Sequence, residues 1–214
     1  MKAIINSALV GILLILFGAC GTSVQMTGTW KAPEAPTSGF HNILVTAITS
    51  NLGAKQSVET QMVNDLRAHG IMAGRSVDIF PPKFNPLDDN DKAQAEQTMK
   101  AQGYDAVLTV SLLRKESELR YVPGTIGYAP YPAYGWYGGF WPYYGYMYGS
   151  VYSPGYYTTD KTYFLESNLY DLTNNGKLVW SGQSETYNPG SLESFSKAYA
   201  AKVSNALQQG GLLR

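Results

Sequence analysis

Between Arg120 and Asp160 the chain runs for 39 residues without a charged side chain. Tyr121 to Tyr157 alone holds 12 Tyr, 8 Gly, 5 Pro, two Trp and one Phe. Bulky rings alternate there with Gly and Pro, so neither a 3.6-residue nor a two-residue apolar repeat marks a buried face. Residues 121–157 therefore read as an insertion, and the fold must be specified by what lies on either side. Replacing Val122 to Tyr157 by a short Asn-Gly hairpin is expected to leave folding nearly intact, since halving a loop changes closure entropy by only about 0.6 kcal/mol.

The flanks are strongly patterned. Ile43 to Ile48 is a short β-branched run of buried-strand length, and Val58, Met62, Val63 and Leu66 then recur at helical spacing before His69-Gly70 closes the segment. Ile71 to Phe80 has strand character around Val77 and Ile79, stopped by Pro81-Pro82. Asp88, Asp89, Asn90 and Asp91 lack the turn glycine and terminal glutamate of a calcium loop and suit the capping of a second helix ending at Gly103. Asp105 to Leu112 is the strongest strand, with Ala106, Leu108, Val110 and Leu112 on one face; charge replaces the alternation through Arg114 to Arg120, as in a solvated ribbon. Thr158 to Leu172 and Lys177 to Tyr187 read as two strands joined at Asn174-Asn175-Gly176, and Leu192 to Leu207 as a third amphipathic helix. The expected class is α/β (α+β) with a mixed sheet, in the order β-α-β-α-β, insertion, β-β-α.

The N-terminus has a different character. Lys2 precedes twelve unbroken apolar or Gly residues, Ala8 to Ala19, too few to span a bilayer and suited to the h-region of an export signal. Cys20, the single cysteine, follows directly. Leu16-Phe17-Gly18-Ala19-Cys20-Gly21 resembles the lipobox of bacterial lipoproteins, with Phe17 in place of the usual Leu. That resemblance implies cleavage after residue 19 and lipidation of Cys20, with palmitate among the acyl chains. Gly21, where an Asp would imply inner-membrane retention, implies the outer membrane, with the domain facing the periplasm. Residues 20–214 carry 15 positive and 16 negative charges, so lipid and not a basic patch would hold the protein there. From Gly21 to Ser38 the chain is rich in Thr, Gly, Pro and Ser. Residues 20–38 are expected to be lipidated cysteine plus tether, reaching roughly 23 Å if flexible, with residues 39–214 as a single domain. Trp30 suits docking on the domain edge and the membrane interface about equally.

The element order, with Gly103-Tyr104-Asp105-Ala106-Val107-Leu108 and Tyr170-Asp171-Leu172-Thr173-Asn174-Asn175-Gly176-Lys177-Leu178-Val179-Trp180-Ser181, is similar to a small α/β domain of exported bacterial proteins. Members include the TolB N-terminal domain, the curli secretion lipoprotein and lipoprotein activators of penicillin-binding proteins. The resemblance implies a fold and an envelope address, and its motifs are structural.

Sixteen basic against 16 acidic residues exclude a general pull toward nucleic acid, and two His with one Cys leave little for a metal centre. No phosphate-binding loop, dinucleotide fingerprint, HExxH or GxSxG occurs. No cofactor is expected. His41 and His69 sit at element ends, where structural roles are cheap. Glu116 and Glu118 share a strand face, but Arg114 and Arg120 flank them and favour a charge ladder.

Tyrosine and tryptophan offer flat apolar faces with a polar tip at small entropic cost. Tyr131, Tyr134, Trp136, Tyr137, Trp141, Tyr143, Tyr144 and Tyr146 are accordingly the candidate binding residues, alongside Cys20 for lipid attachment. Nucleic-acid stacking needs adjacent cations that the segment lacks. The partners compatible with it are a neighbouring protein, a glycan such as peptidoglycan, lipid head groups or another copy. A passive loop is the plainer alternative. The expected function is a non-enzymatic, lipid-anchored scaffold or binding module of the envelope. The alternatives are a cell-wall glycan hydrolase using carboxylates near the ribbon, and a self-associating surface protein.

Overall fold

The computed structural model describes residues 23–80, 88–117, 138–150 and 161–214, with residues 146–150 described by backbone alone. A single mixed sheet organises them. Its strands are β1 (Val24–Lys31), β2 (Asn42–Ile48), β3 (Met72–Arg75), β4 (Ala106–Ser117), β5 (Lys161–Asp171) and β6 (Lys177–Tyr187), in the spatial order β1-β6-β5-β4-β2-β3. β2 runs parallel to β3 and β4, and the remaining neighbours are antiparallel.

β2 is the hinge of the architecture because both of its faces are apolar. Ile43, Val45 and Ala47 enter one core with α1 (Leu52–Ala68) and α5 (Leu192–Gln209), while Leu44 and Ile48 enter a second core with Met99 of α3 (Asp89–Ala101). Alternate residues of a strand must face opposite ways, so an apolar run of this kind requires a layer on each side. Trp180, on the first face of β6, lies so close over Gly182 that a Cβ there would meet the indole at 2.2 Å. Only glycine fits at that approach.

Helix ends follow the local chemistry. Asn51 accepts from Ala54 N at 2.9 Å to start α1. Asp88 and Asp91 form a reciprocal capping box at α3, and Ser191 and Ser194 form another at α5. The acidic run is thus consumed in capping. Asn175 (φ 54°) and Gly176 (φ 66°) take the left-handed conformation between β5 and β6 that this turn requires.

Three expectations are corrected. The strand expected around Val77 and Ile79 lies earlier, at Met72–Arg75, and Ser76–Ile79 is a helical turn, α2. The Arg75 guanidinium clasps Asp78 three residues on at 2.6 and 2.8 Å, and Val77 N donates to Glu59 Oε2 at 3.0 Å, which together draw the backbone out of the sheet. The segment expected to be tether contains an edge strand: β1, eight residues long, pairs along β6 from Val24–Thr186 to Lys31–Trp180. Val24 is buried, and Trp30 docks against both cores, so its protein-edge role is the one realised.

The third correction concerns the insertion. Phe140–Ser150 is a helix, α4, laid over the second face of the sheet, and Phe140 and Tyr143 are buried in the second core. Spacing of three residues puts both on one helix face, and Pro142 falls in the first turn, where a missing N–H costs nothing. Excising Val122 to Tyr157 would therefore remove part of the core.

Candidate functional site

α4 begins at the β5–β6 turn, where Phe140 N donates to Gly176 O at 3.2 Å. It then runs over β4 and β5 with its rings interleaved. Phe140 lies 4.7 Å from Trp141, 5.7 Å from Tyr144 and 5.7 Å from Tyr170 of β5, centroid to centroid. Trp141 and Tyr144 meet edge-on at 6.1 Å. Both are half-buried, and the Trp141 indole N–H donates to Glu96 of α3 at 2.6 Å. Trp141 and Tyr144 thus pack against the second core while keeping part of each ring exposed.

Beneath the helix lies a buried carboxylate. The Tyr143 hydroxyl donates to Glu166 Oε2 at 2.6 Å and is itself 2.5 Å from Ser111 Oγ of β4. Asn168 Nδ2 (3.1 Å) and Gln183 Nε2 (3.2 Å) also donate to Glu166. Glu166 and Asn168 lie two apart on one face of β5, and Gln183 stands directly opposite Glu166 on β6. Burial, then the negative charge of Glu166, pushes the Tyr143 phenol well above its ordinary value of 10.0. Burial does the same for Tyr199, which meets Ser167 Oγ at 2.7 Å on the opposite face.

A phenol kept protonated by the fold loses stability in a stated direction. Above about pH 10 the unfolded chain releases these two protons while the folded chain keeps them, so stability falls as pH rises through that range. Tyr143→Phe should flatten the alkaline limb of a stability-versus-pH profile measured by urea unfolding, relative to the parent protein.

A second buried polar cluster lies on the other face. Glu59 Oε1 accepts from Ala47 N (3.0 Å), Ser76 Oγ (2.7 Å) and Lys55 Nζ (2.7 Å), and Oε2 accepts from Val77 N. Lys55 Nζ also reaches Ser76 Oγ at 2.8 Å and Ala47 O at 3.0 Å. A serine beside a lysine invites comparison with a nucleophile and its base. Here the three ammonium hydrogens are spent on Glu59, Ser76 and Ala47 O, so the lysine offers no acceptor for a proton. The cluster ties α1 to β2 and α2. Its sequence signal is legible afterwards: Glu59 precedes Met62 and Val63 by three and four residues and so lies on the apolar face of α1.

The expected residues separate as follows. Tyr143, a candidate for surface contact, is wholly buried and anchors the helix, which corrects that assignment. Trp141 and Tyr144 are placed together. Tyr146 lies on α4, described by its backbone. Cys20, Tyr131, Tyr134, Trp136 and Tyr137 lie outside the described residues, as do Glu118 and Arg120. In the ribbon Arg114 Nη2 bonds Glu116 Oε1 at 3.1 Å, giving the expected charge pairing. The His41 backbone N–H donates to Asp105, and His69 Nδ1 lies 2.8 Å from Asp65 O, so both histidines have structural surroundings. Among the described residues no three His, Cys, Asp or Glu are grouped to hold a metal ion, and no helix is long and apolar enough to cross a membrane. An open depression of about 480 Å³ beside Asn42, Arg67 and Met72 lies on the β3 edge, away from the aromatic helix.

No family model matches the chain, and no curated protein matches it. Among solved structures, the PelC dodecamer of Paraburkholderia phytofirmans is similar at 20% identity, with a TM-score of 0.45 over 87% of this chain and 96% of that one. Lipoprotein GNA1162 of Neisseria meningitidis shows 18% identity and a TM-score of 0.38, over 77% of this chain and 99% of its own. A PDZ domain protein of Parabacteroides distasonis shows 8% identity and a TM-score of 0.43, over 88% of this chain and 37% of its own.

Proposed function

We propose that this chain is a lipoprotein held in the outer membrane through Cys20, facing the periplasm, whose domain is a non-enzymatic binding module for an envelope protein or glycan. The observation that supports the binding role best is the pair Trp141 and Tyr144, partly exposed on a helix anchored by Phe140 and Tyr143, in a segment without charge. Rings held rigidly lose little entropy on contact, which is what an aromatic platform for a sugar face or a protein surface needs. The support for the anchor is sequence alone: a short h-region ending in Gly18-Ala19-Cys20. Both buried polar clusters have their hydrogen bonds directed inward at structural partners, which favours a binding module over a hydrolase.

The acylated full-length protein, its Trp141→Ala/Tyr144→Ala variant and a Cys20→Ser variant test both parts. The expected results are retention on peptidoglycan fragments or an envelope partner by the parent, at least ten-fold weaker retention by the double variant, and no palmitate incorporation by Cys20→Ser. Turnover of the fragments would establish a hydrolase, and labelled Cys20→Ser protein would remove the anchor.

A further inference from the structure

The sheet register fixes which end of the molecule the N-terminus leaves from. β1 starts at Val24, opposite Thr186 of β6 and one step short of Tyr187, where β6 ends. β6 and β4 point the same way, since each is antiparallel to β5, and β2 is parallel to β4. The start of β1, the ends of β2, β4 and β6, and the starts of α1 and α5 therefore share one end. The Ser57–Ser196 hydrogen bond of 2.9 Å, at the sixth residue of α1 and the fifth of α5, shows that the two helices begin side by side.

Three of the five large apolar side chains exposed in the described residues belong to this end: Leu52 (40%), Tyr187 (52%) and Leu192 (45%). They come from three separate elements, so no single amphipathic segment accounts for them. Soluble surfaces scatter such residues singly, and gathering them at one end marks a contact.

Resting on the lipid-anchor reading, we infer that this end of the sheet is seated on the leaflet that holds the acyl chains of Cys20, with Leu52, Tyr187 and Leu192 at the lipid interface. Chain length selects this occupant. From Cys20 to Val24 there are four Cα steps, spanning at most about 14 Å when fully extended. Along β6 the nine steps from Lys177 to Thr186 cover roughly 30 Å. An anchor attached at Val24 cannot seat the Asn174–Gly176 end on the membrane with the start of β1 pointing away from it without stripping β1 from the sheet. The edge carrying the exposed leucines is the one within reach. Tyrosine and leucine suit that depth, the phenol at the head groups and the aliphatic chains just below.

The test uses the acylated full-length chain in phosphatidylethanolamine–phosphatidylglycerol vesicles doped with a brominated lipid. Acylated Cys20 has no free thiol, so one introduced cysteine is the sole site for an environment-sensitive fluorophore. Gly190→Cys puts it at the proposed seat, where an added Cβ meets nothing within 4 Å, and Asn174→Cys puts it at the opposite, exposed end. We expect quenching by the brominated lipid at least three-fold stronger for the Gly190 label than for the Asn174 label. Equal or reversed quenching with the protein still floating on the vesicles overturns the orientation and leaves the anchor standing. A blue-shifted Gly190 label that lipid does not quench assigns the patch to a protein or second copy and also overturns it. Failure to float removes the anchor reading and this proposal together.

Discussion

Tyr143→Ala should lower the thermal midpoint by at least about 10 °C. Truncating a buried aromatic costs about 3–5 kcal/mol. Losing the phenol also strips Glu166 of its shortest hydrogen bond and leaves Ser111 facing a void. Glu166 keeps Asn168 and Gln183 as donors, so the loss is one hydrogen bond to a charged group, a further cost of about 1.5–3 kcal/mol. Domains of this size move by about 2–4 °C per kcal/mol and hold only some 5–15 kcal/mol in total. Tyr143→Phe keeps the ring and should cost only about 1–3 kcal/mol. Differential scanning calorimetry on both variants separates ring from hydroxyl. An unchanged midpoint in Tyr143→Ala would mean that α4 does not rest on the sheet.

Glu59→Ala is expected to be comparably severe. It leaves the Lys55 ammonium beside Ser76 without its counter-charge and orphans the Ala47 and Val77 amides at once. Breaking one side of a buried pair costs about 3–5 kcal/mol. Removing both charges is a different matter, because the desolvation penalty of the lysine goes with them. Glu59→Leu combined with Lys55→Met should recover a large part of the loss in urea unfolding. If the double variant is no better than Glu59→Ala, the two amides and not the ammonium dominate the cost.

The parts of this fold legible in the sequence are those whose packing partners repeat along the chain. β2, β4 and α5 declare themselves because each buries several residues at its own period, and the Asn174-Asn175-Gly176 turn declares itself through backbone conformation. β1 hid for a physical reason. Val24, Met26 and Trp30 do alternate, but the strand is an edge with a register shift between Met26 and Gly28, and its polar residues face solvent in the manner of a linker. α4 hid for the opposite reason. Its segment is so uniformly aromatic that Phe140 and Tyr143 stand out only once the turn beneath them and the strands beside them are in place. Glu166, its donors and the Ser111 that meets Tyr143 come from β5, β6, α4 and β4, so no local pattern could reveal their convergence.

The sheet order sets the first strand beside the last. β1 cannot pair until β6 exists, and α1 lacks the helix that covers it until α5 has been made. The carboxyl end closes the arrangement, with Phe40 bridged to Leu213 and the Lys31 ammonium bonded to Gly210 O at 2.7 Å. Assembly is therefore dominated by contacts distant along the chain, which makes it slow and unsuited to proceeding residue by residue as the polypeptide emerges. A chain lacking β6 and α5, residues 177–214, leaves β1 and β5 with open edges, the situation in which strands pair with other molecules. Proteolytic loss at the C-terminus should thus convert this protein into an aggregating species, not a shorter folded one.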